Sequence, residues 1–133
     1  MTAGTWALWN VGVGALLGAA GVALAAVAAH RTADPSLATA ALFLILHGIG
    51  AIALTALAGG TPLISGGTPW PSVLLGAASL MLVAVALFSG DVASRVLLGD
   101  RLFPMAAPVG GSLLIAAWLV AAVASIAAAL RVG

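Results

Sequence analysis

Residues 6–29 read WALWNVGVGALLGAAGVALAAVAA, an uninterrupted run of 24 residues with no formal charge, followed at once by His30 and Arg31. As a helix rising 1.5 Å per residue it is about 36 Å long, enough to cross the roughly 30 Å hydrocarbon core of a bilayer. In lipid every backbone N–H and C=O must find its partner inside the segment, so such a run is read as a helix in spite of its glycines. Three further runs of the same kind follow, over about residues 37–58, from Pro71, and from about Pro108 to Leu130. The expected fold is an all-α integral membrane protein, one four-transmembrane-helix bundle making a single domain over 1–133.

Composition agrees with that reading. Of 133 residues 64% are hydrophobic and only 5% charged, against about 25% charged in soluble domains. Four Arg and three Asp are too few to keep a compact body of this size in water. The net charge of +1 implies neither a nucleic-acid partner nor a polybasic lipid-binding stretch. With no Cys, disulfides and thiolate metal sites are excluded. The N-terminus has no basic region and its first apolar run exceeds a signal-peptide core, so residues 6–29 are expected to be a span rather than a cleaved leader.

The connections are marked by turn residues. His30-Arg31-Thr32-Ala33-Asp34-Pro35 ends the first span, with Ser36 and Thr39 as start signals for the next. Gly59-Gly60-Thr61-Pro62 opens a loop that runs through Gly66-Gly67-Thr68-Pro69. The third span reaches at least Phe88. Either Ser89-Gly90-Asp91 stops it near residue 89, leaving a short interfacial helix over 91–98, or it continues to Leu98 and ends at Gly99. The fourth starts near Pro108, a residue suited to a first helical turn.

Tryptophans favour the headgroup level, and this layout brings Trp6, Trp9 and Trp70 to one face. Trp118 falls mid-span, where its indole N–H needs an acceptor. Arg31, Arg95 and Arg101 lie at the face of the first and third loops, with Arg131 opposite. The positive-inside bias then puts those loops in the cytoplasm and both termini outside the cell membrane.

Apolar helices gain little from burial against one another in lipid, so close contact between small residues has to hold them. Gly14, Gly18, Gly21 and Ala25 form such a stripe on the first span, and Ala117, Ala121, Ser125 and Ala129 on the fourth. Gly48 and Gly50 stand beside His47 on the second. The third span, richer in Leu and Val, is expected to face lipid. The stripes either close one bundle or present a face to a second copy or a larger membrane complex.

Ionisable groups inside a membrane are the first candidates for function. His47 lies about 15 Å into the second span, level with Ala19, Ala20, Met81 and Trp118. It is read either as a neutral rivet bonded to a neighbouring helix or as a proton relay or ligand contact. His30 sits at a span end, far in depth from His47, so the two do not suggest a metal site. Asp91 and Arg95 stand at i and i+4 in the favourable order for a helical ion pair. Asp100 and Arg101 are read as headgroup anchors, and Asn10, Ser79, Ser89, Ser112 and Ser125 as interhelical hydrogen-bonding residues. The first span lacks the acidic residue that a small proton-coupled pump needs, and no catalytic or nucleotide-binding motif is present. No enzymatic activity, cofactor or metal is expected.

Several segments together resemble the YgdD/YwdK-like family of small bacterial membrane proteins, domain of unknown function number 423. Val27-Ala28-Ala29-His30 is similar to its Gly-Ala-His ending of the first span, and Leu46-His47-Gly48-Ile49 to its Tyr-His-Ala-Leu. Leu87-Phe88-Ser89-Gly90 matches its Leu-Phe-Ser-Gly, and Pro108-Val109-Gly110-Gly111 with Trp118 is similar to its Thr-Pro-Ile-Gly-Gly and following Trp. Ala28, Leu46 and Ala107 depart from the pattern, and Asp91 replaces a small neutral residue. The resemblance implies four helices in a bacterial inner membrane and a signature of His30, His47, Ser89, Gly90, Pro108, Gly110 and Gly111, gathered where loops one and three meet. The function expected from all of this is a non-enzymatic scaffold or accessory subunit. A small transporter, channel or proton-handling protein using His47, and a lipid- or small-molecule-binding membrane protein, are the alternatives.

Overall fold

The computed structural model describes residues 1–31, 33–60 and 69–132. Four helices account for nearly all of them: α1 (Ala3–Arg31), α2 (Pro35–Gly60), α3 (Trp70–Leu98) and α4 (Ala106–Val132). Each is long and apolar enough to cross a membrane, and the chain is a multi-pass membrane protein. The turn expected between the second and third spans falls on residues 61–68, outside the described residues, as does Thr32 of the first turn.

The helices begin and end for local reasons. Asp34 caps α2: its Oδ1 accepts the Ser36 backbone N–H at 2.9 Å and the Ser36 hydroxyl at 2.6 Å, with Pro35 in the first position, where its missing N–H costs nothing. The cap is thus Asp34, five residues before Thr39 and supported by Ser36. These two hydrogen bonds favour the ionised carboxyl and hold it below the ordinary aspartate range. A group whose folded-state value is lowered stabilises above its unfolded value and loses that contribution as pH falls through the lowered one. The melting temperature of Asp34→Ala is therefore expected to lie slightly below wild type at neutral pH and to converge with it in acid. A gap that persists in acid would contradict the cap.

α3 runs without a break to Leu98 and stops at Gly99, whose φ of 80° is the left-handed conformation that commonly terminates helices. The stop near residue 89 and the separate interfacial helix over 91–98 are thereby excluded. Ser89 and Gly90 do not break the helix because both are used: the Ser89 hydroxyl donates to the Ala40 carbonyl of α2 at 2.9 Å, and Gly90 lies under Leu102.

α3 is also the centre of the bundle, not its lipid-facing edge. It packs against α1, α2 and α4, and half of its most apolar stretch is buried, against 11% for α1. Leu74, Ala78, Met81, Ala84 and Val85 are at most 1% exposed. In a membrane both lipid and protein interior select apolar side chains, so Leu and Val content does not tell which one a helix meets.

Small residues set the contacts. A Cβ on Gly48 would lie 2.7 Å from the Gly14 carbonyl oxygen, and one on Gly21 would lie 2.8 Å from the Ala41 carbonyl oxygen, so α1 and α2 touch backbone to backbone. Gly18 has open space beyond its Cα and Ala25 is exposed. The Gly18 backbone nitrogen still borders the contact, 3.4 Å from where a Gly48 Cβ would lie, so the row runs through Gly14, Gly18 and Gly21 and omits Ala25. On α4 the buried row is Gly110, Leu114, Ala117, Ala121, Ala124 and Ala128. Its spacing alternates four and three, so Ser125 is only half-buried and Ala129 faces out, whereas a strict interval of four drifts around the helix.

One polar network ties α1 to α3. The Trp6 indole N–H donates to the Ser79 hydroxyl at 2.8 Å, and that hydroxyl is within donating distance of Asn10 Oδ1 (2.8 Å) and of the Leu75 carbonyl (3.1 Å). The Asn10 amide in turn donates to the Leu75 carbonyl at 3.1 Å. With Asn10 only 4% exposed, satisfaction of both its amide ends is what makes its burial tolerable.

Candidate functional site

His47 occupies the middle of α2 and is buried. Its Nδ1 lies 2.8 Å from the Phe43 carbonyl of the same helix. A carbonyl only accepts, so Nδ1 carries the proton in this contact. The reading of a rivet to a neighbouring helix is therefore replaced by a bond within α2. What reaches across is ring packing on Trp118 of α4, edge-on at 6.2 Å; within α2 the ring lies tilted against Phe43 at 5.1 Å. Gly50 leaves the room for it, since a Cβ there would lie 3.1 Å from the Met81 sulfur and 3.5 Å from the Trp118 ring. Among the described residues no group of three or more His, Asp or Glu could hold a metal ion.

Gly90, Asp91, Arg95, Pro108, Gly110 and Gly111 come together at the joint between α3 and α4, while Ser89 turns to the Ala40 carbonyl of α2. Asp91 is 2% exposed in spite of its charge. Its Oδ2 pairs with Arg95 Nε at 3.2 Å, one turn on, while Oδ1 accepts the Leu102 backbone N–H at 3.0 Å. The carboxylate thus holds the interhelical loop against α3. Two more contacts fix that loop: the Ser94 hydroxyl donates to the Asp100 carbonyl at 2.8 Å, and the Ala106 N–H to the Phe103 carbonyl at 3.2 Å. So constrained, Met105 adopts φ of 71°, unusual for a residue with a side chain.

Gly110 lets α4 lie directly on α3. A Cβ there would sit 2.6 Å from the Phe88 nitrogen and 2.8 Å from the Ala84 carbonyl oxygen. At Gly111, one residue on, a Cβ would meet only the Phe88 ring at 3.8 Å. Phe88 in turn stacks on Phe43 at 4.9 Å, linking the joint to the turn of α2 that carries His47.

Beside this joint an open groove of about 570 Å³ runs between the two helices. Phe88, Ala107, Pro108, Gly111, Ser112 and Ile115 wall it, with Asp91, Arg95 and Arg101 at its polar end. His30 is exposed in the last turn of α1 and is not part of it.

A model of the family described as protein of unknown function (DUF423) matches residues 17–111, from the middle of α1 to the first turns of α4. The chain belongs to the DUF423 family. No curated protein and no solved structure matches it. The family match takes in His47, the whole of α3 and the loop latched by Asp91.

Some features of the joint carry no sequence signal. Nothing in Leu102 announces that its backbone will bond a carboxylate eleven residues earlier, and Met105 is not a residue expected at positive φ. The neighbouring Gly110 and Gly111 are alike in sequence and opposite in role. The Trp6, Asn10 and Ser79 network could have been sought by matching polar residues of antiparallel spans by depth.

Proposed function

We propose that this DUF423 protein is a small non-enzymatic scaffold or accessory subunit that assembles in the membrane through the outer face of α1. The observation that carries the reading is that α1 has the least buried apolar stretch of the four helices, although its outer face is built for contact. Gly12, Ala15, Ala19, Ala23 and Ala26 are all exposed and fall on one side at intervals of three or four, opposite Gly14 and Gly21, which face α2. Long side chains fill lipid contacts as well as small ones do, whereas small ones in a row allow a second helix to approach closely. A second copy of the same face is the simplest occupant.

The absence of Cys makes the test direct. Ala19→Cys introduces a single thiol on this face, and Val83→Cys one on an exposed position of α3. Oxidation in native membranes is expected to give a cross-linked dimer for Ala19→Cys and monomer for Val83→Cys. Native mass spectrometry from mild detergent should then show an oligomer or a captured membrane partner. Equal cross-linking at both positions, or a strictly monomeric protein without partners, would remove the proposal. For transport through His47 the geometry offers no comparable support, since its Nδ1 bond stays within α2 and its ring packs on Phe43 and Trp118.

A further inference from the structure

The groove between α3 and α4 changes character with depth. Taking Ala84 as the midpoint of α3, Phe88 lies about 6 Å, Asp91 about 10 Å and Arg95 about 16 Å from the bilayer centre at 1.5 Å per residue. Ile115 and Gly111 on α4 lie about 6 and 12 Å from the midpoint at Leu119 by the same measure. The hydrocarbon region ends about 15 Å from its centre. The walls formed by Phe88, Ile115 and Gly111 are therefore at acyl-chain depth, and the guanidinium groups are at phosphate depth.

The polar end holds two arginines and one carboxylate. Both carboxylate oxygens are engaged, Oδ1 by the Leu102 N–H and Oδ2 by Arg95 Nε. Arg95 also lines the groove, and Arg101 is exposed and makes no ion pair among the described residues. Asp100 precedes Arg101, and Asp34 on the first loop is within electrostatic reach of Arg95. The wider face is thus close to neutral, and the positive excess is local to the groove, unlike a polybasic surface. Planar guanidiniums pair well with phosphate oxygens through two parallel hydrogen bonds.

We propose that this groove binds one anionic glycerophospholipid, with its phosphate between Arg95 and Arg101 and an acyl chain along Phe88 and Ile115. The site is separate from the outer face of α1, so it stands or falls independently of self-association.

The test uses the full chain in phosphatidylcholine nanodiscs with phosphatidylglycerol added in increasing proportion, reading retained lipid by native mass spectrometry. Phosphatidylglycerol is expected to be retained at least about tenfold over phosphatidylcholine, as charge-assisted hydrogen bonds allow, and less so at high salt. Arg101→Gln, on an exposed loop position, should remove most of that preference, and Ser112→Phe, at an exposed position of the groove wall, should lower retention of both lipids. Millimolar inorganic phosphate should not compete. Equal retention of the two lipids, an unchanged preference in Arg101→Gln, or displacement by inorganic phosphate alone would overturn the assignment. If Ser112→Phe is not monodisperse, Arg101→Gln and the phosphate arm decide.

Discussion

Gly110→Leu is expected to prevent α3 and α4 from docking, leaving a protein that aggregates on extraction or elutes as a broad, heterogeneous species. The first atom of any side chain at this position would sit 2.6 Å from the Phe88 nitrogen and 2.8 Å from the Ala84 carbonyl oxygen. These are backbone atoms of a helix, so no rotamer change relieves the clash, and the two helix axes must move apart. Separation would also draw Ala117 and Ala121 away from α3, and small residues hold a contact only at close range. Gly110→Ala is the graded form, with an expected cost of about 1–3 kcal/mol, as for overpacking of a tight interior. Thermal unfolding in mild detergent, followed by loss of the monodisperse peak, measures both. The control is Gly111→Ala, where the new methyl meets the Phe88 ring at ordinary distance and the higher helix propensity of Ala acts in its favour. It should be neutral or slightly stabilising. If the two alanine variants melt together, the close backbone contact at Gly110 is not what joins the helices.

That contrast also marks how far the sequence was legible. Length and absence of charge were enough for the four spans, because lipid leaves a helix as the only way to satisfy the backbone of residues 6–29. Prolines and glycines placed most ends well, including the stop at Gly99 as one of two readings. The inside of the bundle was less legible, for a physical reason. In water a core side chain differs in polarity from a surface one, but here Leu74, buried on α3, and Leu119, facing out on α4, meet equally apolar surroundings. Hence a Leu- and Val-rich sequence points α3 toward lipid although α3 is the central helix. The small-residue code was readable as a pattern, yet its register depends on which face meets a neighbour. Gly14, Gly18 and Gly21 all border α2, whereas Ala25, next in the same stripe, faces out. Of the candidate residues, Gly90, Asp91, Arg95, Pro108, Gly110 and Gly111 lie at the α3–α4 joint, whereas His30, His47 and Ser89 lie elsewhere. The Leu102 N–H bonded to Asp91 was not legible, because a backbone donor has no identity in the sequence.

Arg95→Gln is expected to be the more damaging half of the Asp91/Arg95 pair, although Arg95 is the more exposed residue. Asp91 has 2% of its side chain exposed and Arg95 40%. Removing the arginine leaves a carboxylate in a site with almost no access to water, held only by the Leu102 N–H. Removing one partner of a fully buried pair costs about 3–5 kcal/mol, and the partial exposure of Arg95 brings the expected figure down to about 2–3 kcal/mol, since that end of the pair is already screened. Asp91→Asn acts differently. The amide oxygen can still accept the Leu102 N–H, and the freed guanidinium is close enough to the headgroups to find new partners, so the cost should be near 1 kcal/mol, that of one modest hydrogen bond. The double variant Asp91→Asn/Arg95→Gln contains no buried charge and should be more stable than Arg95→Gln alone. Such a second substitution, rescuing the first, is the signature of coupled sites. A double-mutant cycle on melting temperature resolves the order. Should Asp91→Asn prove as costly as Arg95→Gln, with the double variant worse than either, then the aspartate acts through its own packing and loop contact. Charge compensation would then have no part in keeping it at the α3–α4 joint.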